Sequence, residues 1–125
     1  MEQSILTSVK KGVGGITEED TAFDDDICMY INTVLAKLTQ LGVGPKTGYH
    51  VTDKSKTWVQ YFGDDDRLNM IQSFVILSVR MMFDPPTSGT ASKAFEEQIR
   101  ELEWRIQTQV ETPGDEPEPE PNENE

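Results

Sequence analysis

Hydrophobic residues along the chain recur mainly every three or four positions, which is the period of an amphipathic α-helix. Gly42 follows one such stretch directly and is a common helix stop. The pattern therefore predicts a helix over Thr21–Leu41 with one buried face. The stripe consists of Phe23, Ile27, Tyr30, Ile31, Val34, Leu35, Leu38 and Leu41.

A second long helix is predicted over Asp65–Phe83, and it is apolar on nearly all sides. Such a helix is either central in its domain or covered by a neighbouring subunit. One stripe holds Leu68, Ile71, Val75, Val79 and Met82, and the other holds Met70, Phe74, Leu77 and Met81.

The turn after this helix is set by Asp84, Pro85 and Pro86. Proline has no N–H to donate, and its ring disfavours helical geometry in the preceding residue. We expect Ser88 to Thr90 to form the loop and the cap of a third helix, Ala91–Val110. The chain should then double back, so that the third helix packs antiparallel against the second. The seam of the third helix is Phe95, Ile99, Leu102 and Ile106.

The remaining elements are short. A helix over Ser4–Lys11 ends in a glycine-rich exit, and Trp58 to Phe62 suggest a single buried helical turn. We predict an all-α fold over residues 1–110, a small bundle of three main helices with these two additions. Residues 111–125 are rich in Pro and Glu, and we predict a disordered acidic tail there.

Charge narrows the possible partners. The formal net charge is −12, and seven of the 23 acids lie in the last 15 residues, which leaves −5 for the rest. This balance argues against a protein that clamps phosphates, and it favours a cationic partner or a surface that DNA passes without sticking. There is one cysteine and no long apolar run, so we expect a soluble intracellular product with no membrane span. The order of charges at the N-terminus is the reverse of a secretory signal.

Residues for catalysis or metal binding are sparse. His50 is the only histidine and has no cysteine near it in the sequence. Cys28 lies beside Ile27 on the first long helix and is interpreted as a small apolar residue that packs in the core. The aspartate triplets 24–26 and 64–66 lack the alternation of a calcium loop and lie at helix starts, where carboxylates are favourable. We expect no enzyme activity, no cofactor and no metal site.

Surplus apolar surface indicates self-association. Trp104 lies off the seam of the third helix, where it either partly covers its own domain or anchors a subunit interface. Trp58 and Tyr61 are open to the same two interpretations. The full set of candidate interface residues is Trp58, Tyr61, Phe62, Met70, Phe74, Met81 and Trp104.

Four motifs together resemble the small head-tail connector proteins of long-tailed bacteriophages, the adaptor family beneath the portal. They are QLGVGP at Gln40–Pro45, W..YF at Trp58–Phe62, V.R..FDPP at Val79–Pro86 and EQI.E.EWR at Glu97–Arg105. The resemblance covers roughly Ser4 to Val110 and does not extend to the acidic tail.

This resemblance implies a virion protein of the phage neck, made in the host cytoplasm, that forms a ring with the twelvefold symmetry of the portal. The ring would extend the DNA channel and bind the portal on one side and a stopper or other tail component on the other. DNA would pass without specific binding. The alternative hypothesis is an acidic DNA mimic or regulator that occupies the basic site of a DNA-binding protein.

Overall fold

The computed structural model describes residues 3–63 and 66–111, and in these ranges the chain forms five helices. They are α1 (Ile5–Gly14), α2 (Asp24–Gln40), α3 (Trp58–Phe62), α4 (Leu68–Phe83) and α5 (Gly89–Glu111). The prediction of an all-α fold with three main helices is confirmed. The predicted tail lies outside the described residues, apart from Glu111 at the end of α5.

Helix α4 is the centre of the bundle and packs against α1, α2, α3 and α5. Two of its inward residues, Phe74 and Val75, are among the most completely buried in the protein. They join apolar side chains from α1 and α2, such as Val9 and Leu35, in one core. Of the two explanations for the apolar character of α4, the central position within its own domain therefore accounts for its inner face.

The turn between α4 and α5 lies where it was predicted, but α5 begins at Gly89 rather than Ala91, so Gly89 and Thr90 belong to the helix and not to the loop. Asp84 leaves helical geometry with φ −148° and ψ 71°, and the Oγ of Ser88 accepts a hydrogen bond from the Ala91 N–H, capping α5. Near the turn, the guanidinium of Arg80 lies 5.0 Å from the Phe95 ring centroid. At the far end, Ile106 lines a cleft with Met70 and Ile71. These two contacts show that α5 runs antiparallel to α4.

Helix α1 is longer than predicted, because the glycine at position 12 does not end it. A Cβ built on Gly12 would lie 2.5 Å from Cγ2 of Ile76 on α4, so the absent side chain lets the two helices approach closely. The helix ends at Gly14, and Gly15 adopts the left-handed conformation with φ 70°. Glycine has no steric penalty there. The expectation that α1 ends at Lys11 is therefore wrong.

The starts of α2 and α4 also differ from the prediction. Residues 21–23 form a turn in which the Asp20 carboxylate accepts from the Ala22 N–H, so α2 begins at Asp24 rather than Thr21. Phe23 thus precedes the helix and is 44% exposed instead of buried. Helix α4 begins at Leu68, after a turn at residues 66 and 67, whereas Asp65 lies outside the described residues.

The long connection between α2 and α3 is held by one side chain of α2. The Asn32 amide accepts from the Val51 N–H at 2.7 Å and donates to the Val51 carbonyl at 2.9 Å. Val51 is fully buried. The end of the connection pairs with the N-terminal segment through an antiparallel bridge between Ser4 and Thr57. Both long-range ties fix an irregular segment to the helical core.

Candidate functional site

The seven predicted interface residues divide into core residues and surface residues. Trp58, Tyr61 and Phe74 are only 1%, 3% and 1% exposed. Packing within the chain accounts for these three, since each contributes to the single apolar core. The interface hypothesis stays a prediction for the other four residues, which have accessible surface in this conformation: Phe62, Met70, Met81 and Trp104.

Phe62 and Met70 come together in a cleft where α3, the start of α4 and the end of α5 meet. The cleft has a volume of about 220 Å³, with Ile71 and Ile106 among its lining residues. The Arg67 guanidinium also lines it and lies 5.4 Å from the Phe62 ring centroid. The arrangement is an apolar depression with a cationic edge.

Trp104 lies on a different face of α5. It precedes Ile106 by two residues, which corresponds to about 200° around a helix. Ile106 faces the core, so the indole points outward and is 65% exposed. Its surroundings are charged, and they include the pair between Arg105 and Glu101 at 2.8 Å. Of the two interpretations of Trp104, cover for its own domain is therefore not the one this structure supports.

The residues of the turn are placed at the surface, at the opposite end of α4 from the cleft. Asp84 and Pro85 are exposed, and Pro86 and Met81 are partly buried. The Pro86 carbonyl accepts a hydrogen bond from the Ser92 hydroxyl at 3.3 Å. The turn therefore sets the direction in which α5 returns. Met81 lies near the turn, at the other end of α4 from Phe62 and Met70.

Among the described residues, three exposed large apolar side chains were not predicted as candidates: Phe23, Met29 and Met82. Phe23 packs edge-on against Phe83 with ring centroids 5.4 Å apart, near the end of α4. Met29 is the one of the three with a sequence signal, because it lies off the apolar stripe of α2. The exposure of Phe23 follows from the later start of α2, whereas Met82 is 38% exposed although α4 ends at Phe83 as predicted.

The first aspartate triplet lies in the first turn of α2, as predicted, but it provides no side-chain cap to the helix. Asp24 instead pairs with Lys10 of α1, with Nζ and Oδ1 2.8 Å apart. Lys10 is only 2% exposed, and it also donates to the Glu18 carbonyl at 3.3 Å. A buried ammonium requires such partners, so Asp24 serves packing rather than metal binding. Within residues 3–63 and 66–111, no cluster of His, Cys, Asp or Glu is suited to hold a metal ion.

Cys28 and His50 line the same surface depression, but they differ in burial and in chemistry. Cys28 is buried in the core, where desolvation, followed by the charges of Asp24 and Asp25, raises the pKa of its thiol. A raised pKa disfavours the reactive thiolate. His50 is exposed, and its Nε2 lies 3.4 Å from Asn32 Nδ2. The two residues therefore form no nucleophile–base pair in this arrangement.

No helix in the described part of the chain combines the length and apolarity that crossing a membrane requires. The family model described as "Phage connector protein" matches residues 5–113. No curated protein and no solved structure matches the chain. The matched range contains all five helices, the cleft and Trp104.

Proposed function

Because this chain belongs to the phage connector protein family, whose role is structural, we propose that it assembles as a twelvefold ring beneath the portal. The ring extends the DNA channel from the capsid and joins the DNA-filled head to the tail. Its function is carried by interfaces, with the portal on one side and a stopper or tail-side neck protein on the other, and no residue of the chain acts as a catalyst. Residues 1–110 form the connector domain of this proposal, and residues 111–125 are an acidic extension.

The observation that carries the proposal is the family match over most of the chain. The surface supports it, because a small bundle of this size leaves Phe23, Met29, Met82 and Trp104 exposed. Exposed large apolar side chains and apolar clefts are both typical of protein–protein contact sites. A structural ring would bury them between copies or against its partners.

Acidity supports the part of the proposal that concerns DNA. The chain carries 23 acidic and 11 basic residues. A channel wall with negative charge repels the phosphate backbone, so DNA would pass along it without being held. The proposal therefore requires no specific DNA-binding residues.

The test is assembly of the purified chain on the portal protein of the same phage. Size-exclusion chromatography with light scattering should show a complex that neither protein forms alone, and negative-stain electron microscopy should show an added ring below the portal. The portal alone is the control. If the chain stays monomeric at high concentration with portal present, the proposed function is wrong.

The alternative of an acidic DNA mimic makes a different prediction for the C-terminal segment. Deleting residues 112–125 removes six acids and leaves every described helix in place. A mimic that depends on this segment would lose its basic partner, whereas a ring subunit should still assemble on the portal. Retained assembly of the shortened chain therefore favours the connector.

A further inference from the structure

We infer that Trp104 of one copy inserts into the cleft lined by Phe62, Met70 and Ile106 of the next copy in the ring. This inference rests on the proposed function and names the two surfaces that meet. The same chain carries an exposed aromatic side chain and an apolar depression on different faces of α5. Such a pair is self-complementary between copies.

The placement of the two surfaces suits a ring rather than an isolated dimer. Trp104 points away from the core, while the cleft opens between α5 and the start of α4. If each copy gives its Trp104 to one neighbour and receives the Trp104 of another, the contact is heterologous, and every added copy leaves one patch free for a further copy. Repetition of that contact gives a closed ring if the rotation between copies closes.

The chemistry and size of the cleft suit an indole. At about 220 Å³, the cleft is smaller than the ~300–1,000 Å³ typical of small-molecule sites. Its floor includes Ile71 and Ile106, each only 2–3% exposed. Met70 offers a thioether, which contacts aromatic rings favourably, and Arg67 offers a guanidinium, for which tryptophan is the best aromatic partner. Tryptophan and arginine are also the residues most enriched at the centres of interfaces.

The experiment replaces Trp104 with a photoreactive aromatic residue, Trp104→benzoylphenylalanine, in copies mixed with ¹⁵N-labelled unsubstituted chain and portal. After assembly and irradiation, mass spectrometry identifies the peptides that are joined. We expect position 104 to be linked to ¹⁵N-labelled peptides containing Phe62, Met70 or Ile106. The matched control is Lys93→benzoylphenylalanine, which is exposed on the same side of α5 about three turns earlier and should not label the cleft.

Other outcomes overturn the inference in distinguishable ways. A link from position 104 to the portal, to position 104 of another copy, or to any other surface shows that the ring forms through a different contact. In those cases the proposed function stands and the inference fails. If no ring forms on the portal with the unsubstituted chain, the proposed function fails and the inference fails with it.

A second variant checks that the contact matters energetically. Trp104→Ala should fold normally, because the side chain is 65% exposed, and it should weaken assembly on the portal at least ~10-fold. Lys93→Ala should assemble like the unsubstituted chain. Helical circular dichroism equal to that of the parent, together with undiminished assembly of Trp104→Ala, would contradict the inference.

Discussion

Helices α4 and α5 lie side by side, yet they relate to the rest of the molecule in opposite ways. Helix α4 is packed by four other helices, and four of its residues are buried: Ile71, Phe74, Val75 and Val79. Helix α5 is the longest of the described helices, but of its described side chains only Ile106 is buried. One helix holds the fold together and the other is largely a surface.

The difference indicates how one small domain can serve both stability and assembly. Hydrophobic stabilisation follows the apolar area removed from water, and most of that area lies around α4. The outer face of α5 contributes little to this hydrophobic stabilisation, so it can carry the exposed Trp104 and its charged neighbours. Changes at α4 should therefore affect folding, and changes on the outer face of α5 should affect association.

The largest expected effect is at Phe74, whose ring is 1% exposed in the centre of α4. Phe74→Ala should lower the free energy of unfolding by ~3–5 kcal/mol, since it removes buried contacts and leaves a cavity. Phe95→Ala on α5 is the matched control and should cost ~2 kcal/mol or less, because that ring is already partly exposed. Chemical denaturation followed by circular dichroism measures both. Equal losses would show that α5 is as important to the fold as α4.

The next effect concerns the close contact between α1 and α4. Gly12→Ala places a methyl group 2.5 Å from Ile76 Cγ2, and Ile is stiff at this branch, so we expect a loss of ~1–3 kcal/mol. Gly14→Ala is the control, as its Cβ would meet only a carboxylate oxygen 3.9 Å away. It should be neutral or stabilising by up to ~1 kcal/mol. A thermal melt distinguishes the two, and Ile76→Ala should reduce the cost of Gly12→Ala in a double-mutant cycle.

The junction between the two helices gives a smaller change. Replacing Pro85 and Pro86 by Ala should lower stability by at least ~1 kcal/mol, because it allows α4 to continue and loosens the antiparallel return. Thr87→Ala, in the same loop, is the control and should have little effect. Melting temperatures of the three proteins provide the measurement. An unchanged value for the double variant would mean that the α4–α5 seam alone determines the return.

The smallest effect is expected at the ion pair that joins Lys37 of α2 to Glu103 of α5, with 3.0 Å between Nζ and Oε1. Both side chains are substantially exposed, so Lys37→Met should cost ~1 kcal/mol or less, and less still at high salt. Lys46→Met, on an exposed loop position, is the control.

Amide hydrogen exchange should in addition show α5 opening at lower free energy than α4. Equal protection of the two helices would contradict the comparison.

Much of this architecture could be predicted from the sequence, because the long helices have strong periodicity and the double proline is a strong stop signal. The periodic pattern could not say which side of α4 faces the core, since both of its stripes are apolar. Phe74 was therefore grouped with Met70 as a candidate for the interface. Only the packing of four neighbours onto α4 separates the two residues.

Other differences each have an identifiable cause in a particular contact. Gly12 was interpreted as part of a helix exit, whereas its lack of a side chain serves a contact with Ile76, which is distant in the sequence. The start of α3 has a recognisable sequence signal, because Thr57 and Gln60 form a capping box of the T-x-x-Q type. The role of Asp24 as the partner of a buried lysine required knowing that α1 and α2 are neighbours.

The Asn32 amide, which reproduces the hydrogen-bonding groups of a peptide, has a consequence for how this protein can diverge. Val51 is anchored to α2 through its backbone and needs no regular secondary structure on either side. Apart from the buried Val43 and the bridge at Thr57, the stretches before and after it can therefore change in length and sequence while the anchor is kept. New surface chemistry can be acquired in these two stretches without rebuilding the helices.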